Sequence, residues 1–436
     1  MNVIIKKSTL QGRISIISSK SHLHRALIAA CFSDNKCRIF CNNNSDDISA
    51  TIDILRSIGA KINQTDNCID VTPIDKCLLF NKIKSAHKFT FYCRQSASSF
   101  RFFLAISAVL GLNSCFILEP SLKQRKIAGI YDFLTENKID LIIDGESISI
   151  KGKIKAEELT IDANLSSQFL SGILMGAAIF NKEIKIKVPD NTQTVSKGYV
   201  LMTIRVLDDF SVKIIHTKNC YIKPKNLTYK NSFNEYYIES DFSNAGFFLA
   251  VKLLSEQNNN IIIENLPENS IQPDSIITDI IQKMGIKSSY KNNSLSGSNS
   301  LIKPISFDIV DNPDLLPVLA VFSAFANGIS SFYNVDRLKI KESDRLFNII
   351  EILKAFGIES NYKDNTLYIR GGITKSYNFS PVYIETNFDH RMIMLAATLS
   401  CLIDSNIVIK NAEFVSKSDP LFFERLADLG ADIKYL

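Results

Sequence analysis

The residues best suited to chemistry are charged and hydroxyl side chains placed just ahead of long apolar runs. Lys20, Ser21 and Arg25 precede Ala26–Cys31; Gln95, Ser96, Ala97 and Arg101 precede Phe102–Leu110; Ser166, Ser167 and Gln168 precede Phe169–Ile179. Ser240-Asp241-Phe242-Ser243 precedes Ala245–Leu254, Asn312-Pro313-Asp314 precedes Leu315–Ala326, and Asp389-His390-Arg391 precedes Met392–Ile403. Runs of this kind read as helices. A helix start presents free N–H groups and a partial positive charge, which suit an anion. Hydroxyl residues there cap the helix or donate to a ligand, and Arg grips a carboxylate or phosphate through two parallel bonds. Asp314 opens a run of apolar residues, where an unpaired carboxylate is costly unless it lies at a mouth. Lys341-Glu342-Ser343-Asp344-Arg345 is the densest charged cluster, and Lys417 adds a further cation. Together these residues suit binding and proton transfer on a multiply anionic substrate. Taken singly, several have plainer accounts. Ser166-Ser167-Gln168 is a good cap, and Lys341–Arg345 is a capped, ion-paired helix start. Lys20 and Arg25 stand about 140° apart on a helix and share a face only if Lys20 lies in the preceding turn.

The elements that must position these groups repeat. A second helical signature recurs with its phased positions at Gly59, Asn137, Ser211, Gly285, Gly357 and Gly430, at intervals of 72 to 78 residues. Such self-similarity decides architecture before any motif does. Helices apolar on nearly all faces are buried, so the first helix of each repeat is expected inside. The second is amphipathic: Leu346, Ile349, Ile350, Leu353 and Phe356 recur on one face, and Gly357 stands where a helix C′ glycine belongs. Cys68–Val71, Ser147–Lys151, Cys220–Lys223 and Leu367–Arg370 read as strands. The expectation is an α/β fold of six βαβαββ units in two domains of three. The boundaries are placed at 1–19 with 238–436, and at 20–237, with the active site in the cleft between them. Lys225–Tyr237 and Gln11–Ser19 are candidate crossovers, and Val3–Lys6 is expected to complete a unit begun at the C-terminus.

At 436 residues the chain exceeds one ordinary core. With 46% hydrophobic and 22% charged residues it reads as a soluble globular protein. The start Met-Asn-Val-Ile-Ile-Lys-Lys resembles no signal or transit segment, so a cytoplasmic location is expected. Apolar runs are too short or too interrupted for a bilayer. The nine cysteines are odd in number and lack a C-x-x-C pair, which suits reduced thiols. A net charge of +5 without a long Lys/Arg block does not point to nucleic acid. His22 and His24 have no H-x-x-E or C-x-x-C companion, so no metal site is expected.

Read together, the motifs resemble the 5-enolpyruvylshikimate-3-phosphate synthase family of enolpyruvyl transferases. The matching segments are Ser19-Lys20-Ser21-x-x-His24-Arg25-Ala26-Leu27, Ser96-Ala97-Ser98-Ser99-Phe100-Arg101-Phe102, Ser166-Ser167-Gln168-Phe169-Leu170 and Ser196-Lys197-Gly198-Tyr199. They continue with Asn312-Pro313-Asp314, Lys341-Glu342-Ser343-Asp344-Arg345-Leu346, Asp389-His390-Arg391-Met392 and Lys417-Ser418-Asp419-Pro420-x-Phe422-Phe423. The resemblance spans the chain in family order. It implies a two-domain inside-out α/β barrel and transfer of enolpyruvyl from phosphoenolpyruvate to the 5-hydroxyl of shikimate-3-phosphate. The reaction it implies passes through a tetrahedral intermediate that loses phosphate, with no cofactor. The implied partners are these two small molecules, with neither nucleic acid nor membrane, and the chain is expected to act as a monomer. Carried over by motif, Ser21, Arg25, Ser166, Ser167, Gln168, Ser196, Tyr199, Asp314 and Lys341 would hold shikimate-3-phosphate. Lys20, Ala97, Arg101, Arg125, Gln168, Arg345, Arg391 and Lys417 would hold phosphoenolpyruvate. The catalytic set would be Lys20, Asp314, Lys341 and Glu342: Asp314 takes the hydroxyl proton, Glu342 protonates the methylene carbon, and Lys341 positions substrate and shares the proton traffic.

Some positions depart from the family pattern. Gln95 and Ala97 stand in a loop that commonly reads Asn-Ala-Gly-Thr or Glu-Ser-Gly-Ser, and His24 stands where Asn or Ser is frequent. Arg337 occupies a position that is Asn in some members. The sister enzyme acting on a UDP-amino sugar uses a loop cysteine; here the loop carries Arg125 with no Cys near it, and Cys115 reads as a core thiol. A catalytically inert scaffold would have no need of Lys20, Asp314, Glu342 and Lys417 at buried helix starts.

Overall fold

The computed structural model describes residues 1–123, 128–145, 147–162, 166–189, 195–255, 261–291, 294–298, 301–372 and 382–436. The chain forms two compact units, one of Met1–Ile17 with Glu239–Leu436, the other of Ser18–Ile238. Among the described residues no helix is long and apolar enough to cross a membrane.

The Ser18–Ile238 unit wraps three four-stranded sheets around three buried helices, Lys20–Phe32, Ala97–Leu110 and Ser167–Ala177. The second repeat shows the plan. Lys88–Arg94 runs parallel to Asn113–Leu118, joined through the helix Ala97–Leu110. A parallel pair requires such a crossover. Ser147–Lys151 and Asp140–Asp144 then add antiparallel strands. Strict alternation in Lys88–Arg94 buries Phe89, Phe91 and Cys93 against the helix side. The third repeat follows the same order with Glu158–Thr160, Ile184–Lys187, Cys220–Lys223 and Ile215–His216. The first repeat takes its leading strand from the far end of the unit: Glu235–Tyr237 pairs parallel with Cys37–Phe40. Lys225–Tyr237 is therefore no crossover. It belongs wholly to this unit, where Tyr229 is buried and donates to Met175 O.

The other unit repeats the plan around Phe242–Leu254, Leu316–Ala324 and His390–Leu402. Ser306–Asp308, Ile329–Tyr333, Thr366–Arg370 and Ser360–Lys363 form one complete sheet. In another, the N-terminal strand Val3–Lys6 lies between Ile407–Ile409 and Asp432–Tyr435, antiparallel to both. The chain start thus closes a sheet begun at its end. Gly12–Ser15 serves the fourth repeat similarly, running parallel to Ile261–Glu264.

All six second helices end in one device. The N–H of Gly59, Lys138, Ser211, Gly285, Gly357 and Gly430 bonds a carbonyl three residues back, and the next N–H reaches five back. Each of these residues has positive φ. That is the Schellman motif, with an apolar residue after the turn packing on the helix. In the second repeat the left-handed residue is Lys138, not Asn137 as the spacing suggested. Asn137 follows the helix Ala128–Glu136 as the turn begins, and its side chain amide donates to Phe133 O at 2.9 Å.

Close packing of the central helices rests on Gly172 and Gly176. A Cβ on Gly172 would lie 2.7 Å from Ala105 Cβ and 2.9 Å from Phe102 O. Backbone cannot yield cheaply at such a distance, so overpacking costs of about 1–3 kcal/mol follow. Gly172→Ala is expected to lose stability in that range, read as a lower urea midpoint at unchanged slope, whereas Gly145→Ala, with open space around it but φ +47°, tests backbone strain alone. An unchanged midpoint for Gly172→Ala would show that the two helices can part at little cost.

Candidate active site

The six polar starts do open the buried helices. Side-chain caps run from Ser19 to His22 N, Ser96 to Ser99 N, Ser166 to Gln168 N, Asp241 to Asn244 N and Asp389 to Arg391 N. The sixth differs: Pro313–Leu315 forms a 3-10 turn leading into Leu316–Ala324, and no side chain caps it. This leaves the Asp314 carboxylate available for other partners.

In the Ser18–Ile238 unit the predicted residues form separate groups. Lys20 begins the first helix and its Nζ lies 2.7 Å from Asp47 Oδ2. Arg25 is buried on another side, donating from Nε to Thr203 Oγ1 at 2.7 Å, from Nη1 to Ser21 O at 2.6 Å and from Nη2 to Tyr199 O at 3.1 Å. Its guanidinium also sits 5.0 Å from the Phe102 ring centroid. Burial lowers its pKa to about 10, so it stays charged at neutral pH. Lys20 thus meets Asp47, whereas Arg25 meets Thr203, Ser21 O and Tyr199 O, as their angular separation on the helix leads one to expect. Arg101 Nη1 donates to Gln168 Oε1 at 2.9 Å, and Gln168 Nε2 donates to Ser98 Oγ at 2.8 Å. Ala97 and Ser167 are the first residues of their helices and buried. Ser196, left-handed at φ 54°, precedes the helix Lys197–Asp209 that carries Tyr199. Arg125 lies outside the described residues.

His24, one of the departures from family pattern, is buried, with Nδ1 2.7 Å from Thr51 Oγ1 and Nε2 without a described partner. Burial pulls its pKa down to about 3, so it is neutral at physiological pH. Thr51 in turn meets Ser99 Oγ at 2.7 Å, tying the first central helix to the second.

In the other unit the predicted residues converge. Arg345 is the hub: Nη1 to Asp314 Oδ1 at 2.8 Å, Nη2 to Glu342 Oε2 at 2.7 Å, and Nε to Asp389 Oδ2 at 2.8 Å. Lys341 Nζ lies 3.4 Å from Asp314 Oδ1, and Arg391 Nη2 lies 3.4 Å from Asp314 Oδ2. Burial pushes the Asp314 carboxyl up, but Lys341, Arg391 and Arg345 together outweigh it and hold the group far below the usual carboxylate range. Burial lowers Lys341, with Asp314 opposing. Arg345 and Arg391 are held fully charged, since their carboxylate partners outweigh the cost of burial. Arg391 Nε, buried, has no described partner. Lys417 ends the turn Ala412–Lys417 and is buried. Arg337 donates to Val310 O; burial lowers its pKa, and the nearby Asp314 and Asp311 charges oppose this.

Two residues, Asp47 and Asp274, were not singled out from sequence, and Asp389 was read only as part of the helix start Asp389-His390-Arg391. Asp47, which anchors Lys20, lies in a helix start outside every motif. Asp389, fully buried, takes two bonds from Arg345 and one from Ser343 Oγ. Asp274, also buried, accepts from Ser243 and Asn312, and so steadies the turn that presents Asp314. Nothing local marked Asp47, which follows the polar run Asn42-Asn43-Asn44-Ser45-Asp46, and only tertiary pairing distinguishes an anchor from a reacting group.

Comparison with known proteins identifies the family and the fold. The family model for EPSP synthase (3-phosphoshikimate 1-carboxyvinyltransferase) matches residues 4–426. The 3-phosphoshikimate 1-carboxyvinyltransferase of Clostridium beijerinckii is 34% identical over 438 residues, covering 98% of this chain and 97% of that protein. That of Clostridioides difficile is 33% identical over 442 residues, covering 98% and 97%. Among solved structures, an EPSP synthase from Acinetobacter baumannii superposes with a TM-score of 0.74 at 20% identity over 100% of this chain and 99% of that one. The enolpyruvyl transferase NikO from Streptomyces tendae gives 0.74 at 15% identity, covering 100% and 98%. These structures share the two-domain inside-out α/β fold with this chain, and the match along nearly its whole length shows that the chain belongs to the EPSP synthase family.

Proposed function

We propose that this protein transfers the enolpyruvyl group of phosphoenolpyruvate to the 5-hydroxyl of shikimate-3-phosphate, releasing phosphate. It does so in the cytoplasm, as a monomer and without a cofactor. The observation that carries the reading is the Asp314 carboxylate held between Lys341, Arg345 and Arg391, with Glu342 bound to the same Arg345. Two carboxyl groups placed around three cations can move two protons on an anionic substrate. In this reading Asp314 takes the hydroxyl proton and Glu342 protonates C3 of phosphoenolpyruvate, while Lys341 orients the acceptor. Arg345, Arg391, Lys417, Lys20, Arg101 and Arg125 serve the phosphoenolpyruvate carboxylate and phosphate, and Arg391 Nε still has a donor to offer. Ser21, Arg25, Ser166, Ser167, Gln168, Ser196 and Tyr199 serve shikimate-3-phosphate, and the reaction draws on both sets.

The low Asp314 pKa has a kinetic consequence. A carboxylate so strongly stabilised is a weak base. Anionic substrates that take over Lys341, Arg345 and Arg391 relieve that stabilisation and raise its basicity when the proton must move. The test is phosphate release on mixing the protein with both substrates. Release is expected only with the pair, and no release would overturn the assignment.

Ala97 predicts an inhibitor response. Where the family usually has Gly, it adds a methyl at the first turn of a helix proposed to hold phosphoenolpyruvate. Glyphosate, longer than phosphoenolpyruvate, is the inhibitor of that site in this family, and a methyl that grazes the substrate should clash with it. Weak inhibition of the native chain is expected, and Ala97→Gly should tighten it at least about tenfold, the scale of one methylene in a pocket. Tight inhibition of the native chain with no gain in Ala97→Gly would show that Gln95 and Ser96 have shifted the loop and left room.

A further inference from the structure

The Ser18–Ile238 unit contains a cavity of about 280 Å³ lined by Val109, Ile154, Leu159, Ile173 and Ile184, with Phe180 as one wall. Lys153, Lys155 and Lys182 also line it, against one carboxylate, Glu157. The volume is near the small end for ligand pockets, roughly 300–1,000 Å³. Its lining residues lie away from the helix starts. Val109 is 12 residues along from Ala97, about 18 Å at the helical rise.

This is a built pocket. Lys153 Nζ stands 4.4 Å from the Phe180 ring centroid, a cation–π arrangement. The Phe80 ring lies 6.0 Å from that of Phe180. Beneath, the buried Lys223 amine donates to Phe180 O and to Lys182 O, pinning the segment that carries both the ring and a lysine. The only acid on the rim is loosely held: Lys182 Nζ and Glu157 Oε1 are 4.0 Å apart. Burial, and after it the charge of Lys182, lowers the Lys153 pKa, as expected of ammonium groups short of counter-charge.

We propose that this cavity binds a small organic acid with an aromatic body, its ring among Phe180, Ile173 and Leu159 and its carboxylate between Lys153 and Lys182. An apolar floor buries the body without leaving polar groups unpaired. The lysine rim supplies charge-assisted bonds to a carboxylate and nothing equivalent to a neutral head. A purely inorganic anion would leave the floor unused, and a hydrocarbon would leave the lysines unneutralised.

Equilibrium dialysis of the intact protein with radiolabelled phenylacetate tests this. One equivalent is expected to bind with a Kd of about 1 mM or tighter, the scale for so small a ligand. Binding should persist in saturating shikimate-3-phosphate. Labelled 2-phenylethanol, the neutral counterpart, should bind at least tenfold more weakly. The double change Lys153→Gln with Lys182→Gln should weaken phenylacetate at least tenfold, and Lys155→Gln alone should weaken it less. Lys185→Gln should leave it unchanged, because Lys185 pairs with Glu158 outside the cavity. All these lysines are exposed, and a melting curve of each variant confirms its fold. Absence of binding, displacement by shikimate-3-phosphate, equal binding of the alcohol, or indifference to the double change would each overturn the proposal.

Discussion

Replacing Arg345 by Met is expected to cost this protein about 3–5 kcal/mol of stability, the usual penalty for breaking a buried ion pair from one side. The reason lies in what remains. Among the described residues, Asp389, fully buried, keeps hydrogen bonds from the Ser343 hydroxyl and the Arg391 N–H once both guanidinium bonds are gone, with the His390 ring 3.9 Å away. Asp314 and Glu342 each lose their shortest ion pair. Asp314 is partly exposed and retains Lys341 and Arg391, so the uncompensated charge is chiefly that of Asp389. Arg345→Lys keeps the charge but not the fork that reaches three carboxylates at once, and should fall between parent and Met. Urea unfolding followed by circular dichroism reads the loss. With two units the transition need not be two-state, so the midpoint of the first phase is the quantity to compare. The double variant Arg345→Met with Asp389→Leu should recover much of the loss, since an apolar pair leaves no orphaned charge. A single Met variant within about 1 kcal/mol of parent would refute the view of Asp389 as a buried anchor that needs Arg345.

The second large effect concerns turnover. Glu342→Gln keeps size and hydrogen bonding but removes the transferable proton. A loss of at least ~10²-fold in kcat is expected, the scale of general acid–base catalysis, with KM for either substrate changed far less. Asp314→Asn should behave alike in kcat. The two differ in their pH signatures. Asp314 has a folded pKa depressed below its unfolded value. Its contribution to stability is therefore complete above the ordinary carboxylate range and lost only as pH falls towards the folded value. The stability gap between parent and Asp314→Asn should thus be flat from pH 5 to 8, and the acid limb of the free-enzyme kcat/KM profile should not report Asp314. Urea unfolding of parent and variant across pH reads the gap, and steady-state phosphate release across pH reads the acid limb. Near-parental turnover for Glu342→Gln would remove it from the mechanism, and a gap that changes sharply between pH 5 and 8 would contradict the depressed carboxyl.

Much of this molecule was legible along the chain because the signals are short-range. A polar cap followed by a run apolar on all faces can form little but a buried helix, and the caps at Ser19, Ser96, Ser166, Asp241 and Asp389 follow from that chemistry. Repetition at 72 to 78 residues multiplied each signal and made six βαβαββ units readable. What spacing could not resolve was a one-residue choice of the left-handed position: Lys138 takes it although Asn137 is the better former, because the hydrogen-bond pattern of the helix end outweighs a modest residue preference.

Long-range partners were decided only in three dimensions. Pairing energy depends on which groups meet, and nothing local distinguishes Asp47 as the partner of Lys20 or Asp389 as the partner of Arg345. The same holds for strands. Val3–Lys6 was readable as a strand, and completing a C-terminal unit was one way to place it, but its seat between Ile407–Ile409 and Asp432–Tyr435 is a tertiary fact. Glu235–Tyr237, in a stretch polar enough to pass for a linker, became the leading strand of the first repeat because Cys37–Phe40 offered it an unpaired edge. Local sequence determined which elements form, since capping and periodicity act within a few residues. Closure of each unit determined where the ends of the chain are used, since every open edge must find a partner.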